Sequence, residues 1–304
     1  MSDIGVIVDS GASFEPEFYK ENGIVPVQLV FTFPGEAPTP DFEMPPEEFY
    51  PRLIATEGKK GAVPTTSAAN ETEITDAYDR LFSEGAKKII MLTLLDAASG
   101  TYNMALQAKE KHPLSKDIEV KDTNTVGPSQ GFIALEVKRY SETHGFDETL
   151  AYADKLSTQS KIYAVPSTLK FLHAGGRVSD LQYRLGVILD YHPVVSVVNE
   201  NGRHVVKQLA KERKFEKAVG KMEDKILASM GEFSRQDGTG TVDFMVLETG
   251  NKESADLLEK KLKVMIDGYG LKTGHAMRGY LPAVLGTHLG PGAVGVGMLY
   301  RGAE

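Results

Sequence analysis

Two short segments rich in hydroxyl groups carry side chains well suited to bind an anion. Thr65-Thr66-Ser67 and Ser99-Gly100-Thr101 each follow a predicted strand and precede a predicted helix. The first turn of a helix has unpaired N–H groups and the positive end of the helix dipole, so it suits a carboxylate or a phosphate. Helix capping alone also explains either segment, because Ser and Thr are favoured caps. Two such segments at neighbouring strand ends of one parallel sheet would open on the same crevice, which favours a binding site.

The N-terminal half alternates predicted strands with predicted helices. Residues 4–8 form an apolar run that ends at Asp9-Ser10-Gly11, as a buried strand does when it enters a polar turn. Asn70 and Glu73 form a helix-cap signature before an amphipathic run. Further strand and helix pairs are predicted at 88–95 with 102–111 and at 118–122 with 132–143. This alternation indicates a parallel sheet covered on both faces.

Proline and glycine decide the prediction for two other segments. Residues 34–51 contain six prolines, which would interrupt a helix or a central strand, so a loop or lid is expected. Residues 282–300 are rich in glycine and include His288, and we expect strands and turns there.

The order of elements changes near residue 164. Residues 169–173 run into Gly175-Gly176 as a helix runs into a glycine cap, and Asn201-Gly202 between two β-rich runs predicts a hairpin. Helices near 213–231 and 252–268, a strand at 242–247 and a β-rich end at 272–300 follow. The predicted fold class is therefore α/β: a parallel-sheet domain at 1–163 that holds the hydroxyl-rich turns, then an α+β domain at 164–304 with a mostly antiparallel sheet that closes the pocket.

Composition narrows the function classes. The 304 residues carry a formal net charge of -8, so counterion release from a phosphate backbone cannot drive binding and nucleic acid is not an expected partner. The chain has no cysteine, and its seven histidines lack metal-ligand spacing, so we expect neither a metal nor a cofactor. The absence of a signal-peptide pattern and of a long unbroken apolar run predicts a cytoplasmic protein without stable membrane insertion.

Eight short motifs span almost the whole chain. They are Asp9-Ser10, Pro64-Thr65-Thr66-Ser67, Ala98-Ser99-Gly100-Thr101-Tyr102, Asp122-Thr123, Phe171-Leu172-His173-Ala174-Gly175-Gly176-Arg177, Pro193-Val194-Val195, Lys211-Glu212-Arg213 and His288-Leu289-Gly290-Pro291-Gly292. In type and order this series resembles the DegV family of fatty-acid-binding proteins. The most specific parts are the Ser-Gly-Thr-Tyr, Gly-Gly-Arg and His-x-Gly-Pro-Gly stretches.

The resemblance implies a two-domain α/β fold with one long-chain fatty acid buried between or beside the domains. It further implies a carrier without catalysis of its own. Family members look like acyl carriers for a separate bacterial fatty-acid kinase, which phosphorylates the bound carboxylate with ATP and supplies phospholipid synthesis.

Carried over to matching positions, the resemblance implies specific site residues. Thr66 and Ser99 would hydrogen-bond the carboxylate, with His288 close to it as an imidazolium or as a neutral N–H donor. Arg177 and Arg213 would contact the head group or the kinase. The other candidate ligand-binding positions in the two hydroxyl-rich segments are Thr65, Ser67 and Gly100.

The chain also departs from the family pattern before Ser99. Leu95-Asp96 and Ala98 stand where two serines and a leucine are usual, and His192 stands where a lysine is common. The Asp96 carboxylate would repel an anionic head group unless it points away from it.

Other functions remain open from the residues alone. Gly127-Pro128-Ser129-Gln130-Gly131 matches the nucleophile elbow of serine esterases, although Pro128 removes a backbone donor there. Hydroxyl-lined helix starts also suit a phosphorylated or polyol metabolite, as in proteins related to dihydroxyacetone kinases. The glycines at 290–295 match a dinucleotide pattern, but no βαβ unit follows, and a tight turn is expected instead.

Overall fold

Three β-sheets organise residues 3–59, 61–177 and 191–302, the part of the chain that the computed structural model describes. The strands are β1 Ile4–Asp9, β2 Ile24–Val27, β3 Val30–Thr32, β4 Thr39–Pro40, β5 Thr65–Ser67, β6 Lys88–Thr93, β7 Ile118–Asp122, β8 Ser160–Val165, β9 His192–Glu200, β10 Arg203–Glu212, β11 Thr241–Glu248, β12 Lys272–Tyr280 and β13 Val294–Arg301. The helices are α1 Pro16–Glu21, α2 Pro46–Ala55, α3 Glu71–Ser83, α4 Thr101–Lys111, α5 Pro128–Tyr140, α6 Phe146–Gln159, α7 Lys170–Ala174, α8 Phe215–Gln236, α9 Lys252–Gly268 and α10 Ala283–Leu289.

The first sheet is parallel throughout, with the strand order β2-β1-β6-β7. Alternate side chains of its central strands enter different cores, as the two-residue period of a strand requires. Val6 and Leu92 pack with α5 and α6, whereas Ile7 and Met91 pack with α3 and α4. The predicted parallel sheet with helices on both faces is confirmed.

The second sheet has the order β10-β9-β8-β13-β11-β12, and every pair except β11 with β12 is antiparallel. Asn201 and Gly202 form the predicted hairpin turn, with φ values of 54° and 86°. Positive φ at both central residues is the requirement of a type I′ turn. The predicted mixed α/β fold with a mostly antiparallel second sheet is confirmed. Because β8 belongs to this second sheet, the proposed division after residue 163 falls within a strand.

Helix α5 lies between the two larger sheets. Its residues from Pro128 to Val137 are buried. A Cβ added at Gly131 would stand 2.7 Å from the carbonyl oxygen of Ala12, and one added at Gly297 on β13 would stand 2.7 Å from the amide nitrogen of Ser129. These two glycines therefore allow α5 to approach the backbone on either side.

The 34–51 segment differs from the predicted loop or lid. It contains β4, a 3₁₀ turn at Asp41–Glu43 and most of α2. Pro46 occupies the first position of α2, where a missing N–H has no cost, and the helix continues through Pro51.

The Thr65-Thr66-Ser67 segment is a strand, so its prediction as a strand-to-helix turn is wrong. It forms β5, which pairs antiparallel with β3 in a third sheet of order β4-β3-β5. Helix α3 begins only at Glu71, capped as expected by Asn70, whose side chain accepts from the Glu73 N–H at 2.8 Å.

The segment at 282–300 was predicted as strands and turns, but α10 occupies Ala283–Leu289. His288 is therefore in the last turn of a helix and not at a strand end. Distant groups stabilise this short helix: Tyr50 donates to the carbonyl of Leu281 at 2.6 Å, and the Asp41 carboxylate accepts from the Val284 N–H at 3.0 Å. Sequence periodicity could not show either contact.

No helix among the described ranges is long and apolar enough to cross a membrane.

We expect two Gly→Ala substitutions, one in the closely packed α5 and one in an open position of α8, to have opposite effects on stability. Gly131→Ala should lower the free energy of unfolding by about 1–3 kcal/mol, because its Cβ meets the Ala12 carbonyl oxygen and the Phe14 ring. Gly220→Ala, within α8 and with open space around it, should raise that free energy by about 0.5–1 kcal/mol. Urea denaturation of both variants measures this, and equal shifts would contradict the close packing of α5.

Candidate functional site

A cavity lies where the first, second and third sheets meet. It encloses an empty volume of about 1100 Å³, which includes open solvent at its mouth. Apolar side chains form most of its wall, and the polar side chains in the wall are Thr66, Ser67, Ser99, Arg177, Ser196 and His288. The apolar wall consists of Leu29, Ala68, Leu94, Ala98, Val126, Pro128, Ile162, Ala164, Leu172, Val195, Val197, Val206, Leu281, Val284, Leu285 and Leu289.

Thr66 and His288 form the centre of the polar part. The Thr66 Oγ1 and His288 Nε2 atoms lie 2.8 Å apart, although the residues are 222 positions apart in sequence. Pairing of β5 with β3, which sets Thr66 opposite Phe31, places the hydroxyl, and α10 places the imidazole. The structure thus brings together two of the three predicted anchors as a hydrogen-bonded pair.

The imidazole of His288 is neutral at physiological pH. Burial lowers its pKa to about 3, and the positive charge of Arg177 acts in the same direction. Nδ1 is buried without a hydrogen-bond partner among the described residues. Because that atom is unpaired, the interaction with Thr66 through Nε2 is the one that orients the ring.

Gly175 explains why the Gly-Gly-Arg motif accompanies His288. A Cβ at Gly175 would overlap the Nδ1 atom of His288, so a larger residue would displace the ring. Gly176, at φ 75°, ends α7 in the left-handed conformation, and the Arg177 N–H bonds to the Leu172 carbonyl at 2.8 Å. This is the Schellman arrangement of a helix C-terminus, as the glycine pattern predicted.

Arg177 connects this helix end to the Ser99 segment. Its Nη2 donates to the carbonyl of Ala98 at 2.7 Å, and its Nη1 donates to the carbonyl of Gly175. The guanidinium therefore places a positive charge at the exposed edge of the cavity. It lies next to the end of α7 and to the residue before Ser99.

Ser99 lies in the turn that precedes α4, as predicted, two residues before the helix begins at Thr101. Its Oγ is 2.9 Å from the Thr101 hydroxyl and accepts from the Thr101 N–H at 3.3 Å. Asp122, from the Asp-Thr motif, accepts from the Asp96 N–H at 3.1 Å and so fixes the turn before Ser99. The Asp96 carboxylate accepts from Asn103 at 3.0 Å and is not part of the cavity wall.

The remaining predicted site residues separate into two groups. Ser67 and Gly100 line the cavity, whereas Thr65 and Arg213 are exposed and lie outside its wall. Sequence reasoning missed Ser196, whose hydroxyl donates to the Ile162 carbonyl at 2.6 Å, and it missed the apolar wall, which no local pattern marks.

Ser129 does not have the environment of an esterase nucleophile. It is fully buried in the first turn of α5, where its hydroxyl donates to the Lys161 carbonyl at 2.6 Å and accepts from the Met298 N–H at 3.1 Å. Both bonds connect α5 to the second sheet. An attacking hydroxyl needs an adjacent general base and access to substrate, so the nucleophile-elbow match is a structural coincidence.

The glycines at 290–295 form a tight turn, here between α10 and β13, with φ values of 78° at Gly290 and 76° at Gly292. Across the described residues, no group of three His, Asp or Glu side chains is placed to hold a metal ion.

Known proteins match this chain along nearly its full length. A DegV domain-containing protein of Streptomyces coelicolor is 28% identical over 294 residues, covering 96% of this chain and 97% of the relative. A DegV domain-containing protein of Clostridium acetobutylicum is 26% identical and covers 97% of this chain and 98% of the relative.

Solved structures share the fold. A DegV family protein from Thermus thermophilus, described as fatty-acid binding, superposes with a TM-score of 0.82 at 24% identity, covering 98% of this chain and 99% of that one. A stearic-acid-binding protein from Eubacterium ventriosum gives a TM-score of 0.83 at 20% identity, covering 99% and 98%. The family model described as "Uncharacterised protein, DegV family" matches residues 3–301, and the chain therefore belongs to the DegV family.

Proposed function

We propose that this protein binds one long-chain fatty acid in the cavity and presents its carboxylate to a partner fatty-acid kinase for acyl-phosphate formation. The observation that carries the proposal is the Thr66–His288 pair within a mostly apolar wall. Pockets with apolar walls and a few placed polar groups suit small amphipathic ligands. The fatty-acid-binding descriptions of the structural neighbours support the same ligand class.

The polar end can donate hydrogen bonds to a carboxylate. When Nε2 of the neutral imidazole carries the proton, it donates to the Thr66 oxygen, and the Thr66 hydroxyl proton is free for the ligand. The Ser99 hydroxyl can donate in the same way. Arg177 supplies positive charge, and no acidic side chain belongs to the cavity wall as described.

The acyl tail would supply most of the binding free energy. Each buried methylene contributes about 0.8 kcal/mol, so a tail of about ten methylenes gains about 8 kcal/mol before the costs of association. A hydrogen bond to a charged group contributes about 1.5–3 kcal/mol. The apolar wall would therefore supply most of the affinity, and the polar groups would orient the ligand. A small phosphorylated metabolite has no apolar tail to contact this wall.

The exposure of the polar end of the cavity supports the proposed presentation to a kinase. Ser67, Gly100 and Arg177 are exposed parts of the cavity wall, so the head group would lie near the surface. The carrier would have no catalysis of its own, since the phosphoryl donor and the catalytic groups would belong to the kinase. Arg213, exposed and outside the wall, is then a candidate contact with that partner.

Lipid extraction followed by mass spectrometry tests the ligand class. We expect recombinant protein to retain about one long-chain fatty acid per chain, because a tail buried from water dissociates slowly. A delipidated sample should take up added oleate or palmitate. A protein that is free of lipid and ignores both acids, but binds a phosphorylated triose, would replace this proposal with the metabolite-binding alternative.

Thr66→Val should weaken fatty-acid binding about tenfold, because it removes the hydroxyl while preserving the shape of the side chain. Thr65→Val is the matched control: it lies in the same strand but outside the cavity wall, and its affinity should equal that of the unaltered protein. Isothermal titration with a fatty acid measures both. Equal affinities for the two variants would remove Thr66 from the head-group site.

Arg213→Glu should slow ATP-dependent acyl-phosphate formation by a purified fatty-acid kinase while leaving fatty-acid affinity unchanged. Arg203→Glu reverses another exposed charge at the opposite end of β10, about 30 Å away, and should leave the rate unaltered. Kinase rates with radiolabelled oleate provide the comparison. A loss of lipid affinity in Arg213→Glu would instead assign this arginine to the head group.

A further inference from the structure

The Asp9-Ser10 motif lies outside the cavity wall, yet it is among the most buried polar parts of the chain. Asp9 and Ser10 are both 0% exposed, and Asp41 is 4% exposed. The Ser10 hydroxyl donates to Asp41 Oδ2 at 2.8 Å and accepts from the Leu29 N–H at 3.0 Å. These residues therefore form one buried polar cluster behind the cavity.

The cluster holds the backbone of several wall residues. Asp9 accepts from the Leu94 N–H at 2.7 Å and from the Gly11 N–H at 3.1 Å. Leu29, held by Ser10, and Leu94, held by Asp9, both line the cavity. The Asp9 carboxylate and the Ser10 hydroxyl thus fix backbone positions that the ligand would contact.

Asp41 also reaches the helix that carries His288. Its Oδ1 accepts from the Val284 N–H at 3.0 Å, across 243 positions of sequence. Pro282, at the N-cap of α10, provides no side-chain cap of its own. Asp41 consequently caps the N-terminus of α10, a role that a Ser or Asp next to the helix normally has. Its negative charge lies at the positive end of the helix dipole.

Burying the Asp41 and Asp9 carboxylates costs free energy. Burial raises the pKa of Asp41 to about 6 and that of Asp9 to about 7, so the surroundings disfavour the charged forms. Groups that stabilised only the fold could be replaced by neutral ones without this cost. Helix α10 is short, and its first turn and its last turn are separated by a few residues, so a shift at Val284 is transmitted to His288.

We propose that Asp41 is a positioning residue for the head-group site: by capping α10 across the fold, it sets the imidazole of His288 against Thr66. This inference rests on the proposed fatty-acid function. Hydrogen bonds depend steeply on direction, whereas apolar contacts do not. A small displacement of α10 should therefore affect carboxylate recognition more than tail binding.

The test compares a fatty acid with the fatty alcohol of the same length. Asp41→Ala should weaken palmitate binding about tenfold and change hexadecanol binding less than about threefold. Asp41→Asn, which keeps an acceptor for the Val284 N–H, should restore most of the palmitate affinity. Glu43→Ala, an exposed acid in the same 3₁₀ turn, is the control and should change neither affinity.

A double-variant comparison separates positioning from packing. In a His288→Ala background, Asp41→Ala should cause little further loss of palmitate affinity, because the group it positions is absent. Equal weakening of palmitate and hexadecanol, or full palmitate affinity in folded Asp41→Ala, would overturn the proposal. If Asp41→Ala does not fold, Asp41→Leu, which fills the same space without an acceptor, is judged by the same criteria.

A ligand-free measurement keeps this inference distinct from the proposed function. The ¹⁵N chemical shift of His288 Nε2 reports its hydrogen bond to Thr66 without any lipid. Asp41→Ala should shift this signal, and Glu43→Ala should not. A protein that binds no fatty acid would refute the proposed function, whereas an unchanged His288 signal in Asp41→Ala would refute the positioning role.

Discussion

The close contact of helix α5 with both larger sheets is the constraint on which the rest of the fold depends. Gly131 lets the helix meet the turn after β1, and Gly297 lets it meet β13. The Ser129 hydroxyl then hydrogen-bonds to the backbone of two strands of the second sheet, at Lys161 and Met298. The cavity begins at the N-terminal end of this helix, where Gly127 and Pro128 form part of its wall. The helix that joins the sheets thus also bounds the space between them.

The cavity wall contains two kinds of interaction, which differ in how strongly they depend on distance and direction. In the proposed complex, apolar residues of the second sheet and of α10 would stabilise the acyl chain through non-directional contact with its methylenes. The Thr66–His288 pair needs a fixed distance and direction, so it lies on a strand and a helix whose positions are over-determined by other contacts. This separation explains why the rigid polar residues fall in short motifs, while the apolar wall is spread over many elements without a motif.

The sequence correctly predicts those elements that are determined by residues close together in the chain. The Asn201-Gly202 hairpin, the glycine end of α7 and the turn at Ser99 before α4 depend on residues within a few positions, and these predictions are confirmed. The errors concern elements fixed from a distance. Strand β5 exists because β3 pairs with it, and α10 begins where Asp41 caps it from 243 positions away. Arg213 was carried over from a motif, and a motif does not specify which side of a strand end faces the cavity.

Three buried titratable groups in and behind the cavity wall have pKa values shifted by burial. The raised pKa values of Asp9 and Asp41, about 7 and about 6, mean that the folded chain takes up protons that the unfolded chain does not, so acidification toward pH 4 adds stability through them. His288 has the opposite effect: its pKa of about 3 means that stability is lost as pH falls below about 6.5, where the unfolded chain gains the proton. At neutral pH the imidazole is therefore an uncharged hydrogen-bonding group, and the positive charge in the cavity wall belongs to Arg177. Of the two forms of His288 that the sequence left open, the lowered pKa selects the neutral one, so in the proposed head-group site a carboxylate would be held by hydroxyl groups that this ring orients.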